Sequence, residues 1–161
     1  MLVGASGSGT STVGRLLAAA LGREHLDVDA VIAQRAGKAV SEIFIEDGEA
    51  AFRAIEEATT IELLDRPAVL SLGSGAVLSE PVRAALRGRQ VFWLQVSAGT
   101  AAERVGLTAA RPVGFGNVRG RLIQLLNQRA PLYADVASSS VTTDDRSADE
   151  VTEVILERLR P

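Results

Sequence analysis

Apolar positions along the chain follow two rhythms. Val13, Leu16, Leu17, Ala20 and Leu21 recur at helical spacing, which predicts a helix over 11–21. Met1-Leu2-Val3 reads as the end of a strand, and the polar, glycine-rich residues Gly4 to Gly9 lie between the two. Short apolar runs bounded by turn residues predict buried strands over 68–71 and 90–96. Residues 25–28 read as a strand running out through Asp27 and Asp29, and 136–142 as a last one. Further helices are predicted over 30–34, 41–45, 49–64, 81–86, 98–105 and 118–128. Ser147 with Glu150 is a capping-box signal that opens a final helix. Residues 106–120 hold four glycines and a proline with little periodicity, the pattern of a loop able to act as a lid. Ala130-Pro131-Leu132-Tyr133 reads as a helix break just after Arg129. Strand, glycine loop and helix in succession are the opening of a parallel α/β unit.

A length of 161 residues fits one domain, and 47% hydrophobic residues exclude a long disordered chain. A net charge of -3 argues against a nucleic-acid-coating surface, while leaving room for arginines that line a pocket for a small anion. There is no cysteine, so disulfides, thiolate nucleophiles and cysteine-ligated metals are excluded. The single histidine, His25, cannot build a multi-histidine metal site and reads as a core-edge or surface residue. No apolar run approaches the roughly 20 residues that span a bilayer, and no signal-peptide pattern opens the chain. The expectation is a cytoplasmic monomer with neither nucleic-acid nor membrane partners.

Gly4-Ala5-Ser6-Gly7-Ser8-Gly9-Thr10-Ser11-Thr12 follows the phosphate-binding loop pattern at all but one position. Successive amides there can curl around an anion, and the following helix adds its positive end. Ser11 can place a hydroxyl on magnesium. The pattern has lysine immediately before that serine; here the residue is Thr10, and the chain's only lysine is Lys38. Asp27 and Asp29 share a face if the strand extends through both. One carboxylate could then hold magnesium, and the other could orient a substrate hydroxyl. Arg53 and Glu56 lie three apart on a predicted helix, so Arg53 could hold an acid while Glu56 fixes its guanidinium. Arg129 could supply a second fork to the same carboxylate. Arg104 and Arg111 bracket the start of the loose segment, where positive charge could reach bound phosphates. Trp93 reads as core.

In this setting the chain resembles the shikimate kinase family over nearly its full length. The resemblance rests on an ordered series: the phosphate loop, Asp27-Val28-Asp29, residues 48–56 with Arg53 and Glu56, Gly73-Ser74-Gly75, Arg111-Pro112 and Arg129-Ala130-Pro131-Leu132-Tyr133. It implies a three-layer α/β P-loop kinase fold with a five-stranded parallel sheet in order 2-3-1-4-5. It also implies transfer of the terminal phosphoryl of ATP, with Mg2+, to the shikimate 3-hydroxyl. By that resemblance Gly4, Gly7, Ser8, Gly9, Thr10, Ser11 and Thr12 bind nucleotide, with Arg104 near adenine and Arg111 a lid arginine facing the phosphates. Ser11 and Asp27 serve magnesium. Asp29, Arg53, Gly73, Ser74, Gly75 and Arg129 bind shikimate, and Asp29, Arg111 and Thr10 are the catalytic positions. Residues 30–64 become the substrate-binding helical region and 106–120 the lid. The chain departs from the family in three places: Thr10 for lysine, Ser74 within a triple glycine, and Val113-Gly114-Phe115 for a leucine-rich start. Two other readings fit the same residues: a nucleotide- or metabolite-binding homologue with a regulatory role, and a kinase of a related small polyhydroxy acid.

Overall fold

The computed structural model describes residues 1–106 and 118–160. Its elements alternate as the hydrophobic rhythm requires. Strand β1 (Leu2–Gly4) leads to α1 (Thr10–Leu21), β2 (Glu24–Asp27), α2 (Val28–Ala36), α3 (Val40–Glu46) and α4 (Glu49–Leu63). Then follow β3 (Ala68–Ser71), a 3-10 turn (Ala76–Leu78), α5 (Glu80–Leu86), β4 (Phe92–Gln95) and α6 (Ala98–Arg104). Helix α7 (Val118–Val136), β5 (Ser139–Thr142) and α8 (Ala148–Leu159) complete the order.

The five strands form one parallel sheet in the order β2-β3-β1-β4-β5, as expected. Residue alternation assigns the two faces. Leu2, Val69, Phe92 and Leu94 pack with Val13 and Leu17 of α1 and with Val151 and Ile155 of α8. Val3 and Leu70 face the other way, onto Ile32, Phe52, Leu63, Val82 and Tyr133. With helices on both faces, the middle strands are mostly apolar, as a parallel sheet demands, and turn polar only at their C-terminal ends, Ser71 and Gln95. The C-terminal strand ends then open toward the loops after β1, β2 and β3, where such folds place their chemistry. No helix among the described residues is long and apolar enough to cross a membrane.

Two local expectations are corrected. Strand β2 stops at Asp27, so Asp29 does not continue its alternation. The Asp27 carboxylate caps α2, accepting from the Ala30 N–H at 3.2 Å, and this cap starts the helix one residue later. Asp29 therefore lies in the first turn of α2, where a negative charge suits the helix dipole. Helix α7 likewise runs through Pro131 instead of breaking there. Pro131 is exposed, while Tyr133 and Val136 beyond it are buried in the core; their burial holds the helix together past the missing N–H. Smaller shifts are ordinary fraying of boundaries: α1 begins at Thr10, and Trp93 is half-buried against the core, its ring stacked on Tyr133 at 5.8 Å.

Leu94 is fully buried on β4 between α1 and α8. Leu94→Ala should lower unfolding free energy by about 3 kcal/mol, through lost burial and a residual cavity. Urea unfolding followed by circular dichroism checks this; a loss under about 1 kcal/mol would contradict the packing described.

Candidate active site

The loop between β1 and α1 is built around close contacts. Ser8 N–H donates to the Ala5 carbonyl at 3.0 Å, and a Cβ on Gly4 would lie 2.4 Å from Ser8 Oγ. Gly7 has φ 84°, and a Cβ there would meet the Ala101 backbone at 2.9 Å, so α6 presses directly on the loop. From the last turn of α6, Arg104 donates to the Gly7 carbonyl at 3.1 Å and to Thr143 Oγ1 and O at 3.0 and 2.7 Å. Beneath the loop, Ser71 Oγ donates to the Thr10 carbonyl at 2.8 Å. That leaves the Ser71 oxygen as acceptor toward His25 Nε2, 2.9 Å away, so His25 carries its proton on Nε2. Burial holds the His25 pKa below its usual value, which keeps the ring neutral at pH 7.

The loop opens on a cavity of about 420 Å³ lined by Gly4 to Gly7, Gly9 to Thr12, Asp27, Asp29, Gly73, Ser74 and Arg104. Ser11 Oγ donates to Asp27 Oδ2 at 2.5 Å, which sets two hard oxygens side by side at the helix start. That donor set suits Mg2+, which takes one or two protein oxygens and completes its shell from phosphates and water. Among the described residues no cluster of three or more His, Asp or Glu could hold a metal unaided. Lys38 is committed elsewhere, to Glu46 at 2.8 Å and Asp47 at 2.6 Å, so it does not stand in for the missing ammonium.

Across the cavity the chain passes through Gly73-Ser74-Gly75, and here the predicted acid-binding residues meet. A Cβ on Gly75 would fall 2.0 Å from Arg53 Nη1. A Cβ on Gly73 would fall 2.4 Å from Glu56 Oε1 and 2.7 Å from Asp29 Oδ1. Arg53 Nη1 donates to Glu56 Oε2 at 2.6 Å, and Glu56 is 2% exposed. The Arg53 guanidinium also lies over the rings of Phe44 and Phe52, at 5.5 and 5.3 Å. Arg129 Nη1 donates to the Ser74 carbonyl at 3.0 Å. The structure thus brings Asp29, Arg53 and Arg129 to one loop, although Asp29 arrives from a helix.

Asp29 is electrostatically exposed to its neighbours. Its Oδ1 is buried without a hydrogen-bond partner. Burial first, then the Glu56 and Asp27 carboxylates, push its pKa up to about 6, against an opposing pull from Arg53. Burial raises Glu56 as well, opposed by its bond to Arg53. Tyr133, which has no assigned role at the sequence level, donates its hydroxyl to the Ser74 carbonyl at 2.6 Å. Burial raises its pKa to about 12, so it remains a donor throughout the neutral range. The available signal was its position four residues after Arg129, on the same helix face. A second cavity of about 250 Å³ adjoins the loop, lined by Ser8, Gly9, Thr12, Arg104, Thr143 and Arg146 among others. Arg111 and residues 107–117 of the expected lid lie outside the described residues.

The shikimate kinase family profile matches residues 6–160. A shikimate kinase of Thermobifida fusca is 48% identical over 160 residues, covering 99% of this chain and 93% of the relative. One from Mycobacterium tuberculosis is 46% identical over 162 residues, covering 99% and 92%. Among solved structures, the Acinetobacter baumannii shikimate kinase in complex with shikimate superposes with a TM-score of 0.90 at 37% identity, covering 98% of this chain and 90% of that one.

Gly75→Ala places a methyl group where the Arg53 guanidinium lies, so it should break the Arg53–Glu56 pair and cost about 1–3 kcal/mol of stability. Denaturant unfolding and a carboxylate NMR titration check this. Glu56 should titrate still higher once its partner is displaced, and an unchanged Glu56 would refute the contact.

Proposed function

Because this chain belongs to the shikimate kinase family, we propose that it transfers the terminal phosphoryl group of ATP to the 3-hydroxyl of shikimate, giving shikimate 3-phosphate and ADP. The observation that carries this reading is a cavity in which the anion-cradling loop faces Asp29, Gly73 and Ser74, with Arg53 and Arg129 held against that same 73–75 segment. A glycine loop alone would fit many nucleotide binders. The added pair of arginines on one neutral backbone segment fits a small carboxylic acid.

The division of labour follows from the geometry. The amides of Gly7 to Thr12 and the start of α1 receive the phosphates. Thr143, Arg104 and Arg146 border the adjoining cavity, which takes the nucleoside end. Ser11 and Asp27 hold magnesium, which when bound spreads the phosphate charge. Arg53, pinned by Glu56 and the two phenyl rings, and Arg129 grip the carboxylate of the acid. Asp29 receives the hydroxyl that is to be phosphorylated, orients it toward the cradle and accepts its proton. An elevated pKa makes Asp29 a better proton acceptor than an ordinary aspartate while keeping it ionised at pH 7. Positioning and charge stabilisation do the rest, and no covalent enzyme intermediate is needed.

The proposal is tested by incubating folded protein with ATP, magnesium and shikimate and following ADP by a coupled assay. Phosphorylated shikimate is the expected product; none at any protein concentration would overturn the reading. Thr10→Lys should raise kcat about a hundredfold, since a charged contact at the transition state contributes about 3 kcal/mol. No increase in a well-folded variant would show that Thr10 does not limit the rate. The pH profile carries the mark of Asp29. The rate should fall as pH drops through about 6, where the carboxylate gains its proton. Its folded-state pKa is raised, so the ionised carboxylate costs stability above about pH 6 and costs none below its unfolded value. Asp29→Asn should therefore abolish the acidic limb, lower kcat and raise the melting temperature at pH 7 but not at pH 3.5. An unchanged melting temperature at both values would contradict the burial of this charge.

A further inference from the structure

Strand β2 presents two side chains to the start of α1. His25 and Asp27 lie two apart on that strand and share a face, while Leu26 between them packs into the opposite core. Asp27 takes the Ser11 hydroxyl directly, at 2.5 Å. His25 reaches the preceding residue through one intermediary. Its Nε2 lies 2.9 Å from Ser71 Oγ, which donates to the Thr10 carbonyl at 2.8 Å. The two ties thus close on either side of one peptide bond, the bond that joins Thr10 to Ser11.

A peptide unit is planar, and its C=O and N–H point opposite ways. Holding the Thr10 carbonyl therefore sets the direction of the Ser11 N–H. Ser11 lies in the first turn of α1, where N–H groups have no partner within the helix. The residue at the cap is Gly9, which has no side chain to supply one. The Ser11 amide is left for an anion in the cavity that Gly9, Thr10, Ser11 and Thr12 line.

The His25 ring decides which way the chain of bonds runs. Ser71 is 1% exposed and has one hydrogen, which must find an acceptor. With its proton on Nε2, His25 fills an acceptor site on Ser71 Oγ and leaves the Ser71 hydrogen to the Thr10 carbonyl. A bare Nε2 would compete for that hydrogen instead. Linked bonds of this kind polarise and strengthen one another. The space is shaped for them: a Cβ on Gly14 would strike both Ser71 Oγ and the His25 ring. With threonine in place of the loop lysine, bound phosphate depends all the more on well-aimed amides.

We infer that His25 is a positioning residue for the phosphate loop, aiming the Ser11 amide at bound phosphate through Ser71 and the Thr10 carbonyl. This rests on the kinase reading above and gives work to a residue that the reading leaves idle.

His25 is the only histidine, so nitrogen NMR of the full chain reads its ring directly. The Nε2–H tautomer is expected, with a change in the ring shifts when ADP and magnesium are added. The Nδ1–H tautomer would overturn the inference. Calorimetry of ADP with magnesium and, separately, of shikimate measures the consequence. His25→Leu should weaken ADP binding about fivefold, the contribution of one modest hydrogen bond, and leave shikimate affinity unchanged. His25→Gln, whose amide can donate to Ser71, should recover most of the loss. Ser71→Ala should match His25→Leu, and the double variant His25→Leu/Ser71→Ala should be no worse than Ser71→Ala, since both act through one chain of bonds. Equal losses for the two ligands, no rescue by glutamine, or additive losses would overturn the positioning role alone. A folded parent that binds no ADP would overturn the kinase reading together with it.

Discussion

The fit between the 73–75 backbone and three ionised side chains governs this molecule. Arg53 lies where a Gly75 side chain would have to be, and Asp29 and Glu56 lie where one on Gly73 would be. Those contacts require the loop after β3 to pass flat over the start of α2 and the first half of α4. They require α4 to present Arg53 and Glu56 one turn apart, with Phe44 and Phe52 closing on the guanidinium. From the opposite side, α7 reaches the same backbone through Arg129 and Tyr133. Helices from distant parts of the chain are thus registered on three residues, and the sheet beneath holds those residues beside the phosphate loop.

The charge arrangement explains why such a site is expensive to maintain. Asp27, Asp29 and Glu56 gather near the cleft, and two of them are raised by burial. Arg53 relieves part of that strain, and Arg129 acts on Glu56 from farther away. Asp29 Oδ1 is left without a partner, and an unpaired buried carboxylate oxygen destabilises the fold that contains it. It persists where its readiness to accept a proton is useful. Thr10 tilts the balance on the other bank, because the loop relies on amides, a helix start and Arg104 where an ammonium would add a full charge.

Much of this was legible in the residues alone. Strand, glycine loop and helix are readable from a short apolar run, a glycine-rich stretch and then a period of 3.6, and the sheet order follows from the family resemblance. Asp29 and Arg129 stand out in the sequence as candidate site residues, yet their local settings differ from the expected ones for related reasons. The Asp27-Val28-Asp29 alternation is compatible with a strand, but a carboxylate able to cap a helix competes with strand extension and wins. Pro131 carries a strong breaking signal, but tertiary burial of Tyr133 and Val136 outweighs one missing N–H. Tyr133 offers only its spacing from Arg129, because its contact with the Ser74 carbonyl joins residues more than fifty positions apart. Periodicity does not encode such distances.

The tie beneath the loop has an evolutionary corollary. His25, Ser71 and the Thr10 carbonyl form a chain in which position 10 is anchored by its backbone, whatever side chain it bears. Threonine and lysine can therefore trade places there on an unaltered scaffold, with no compensatory change demanded of the loop's foundation.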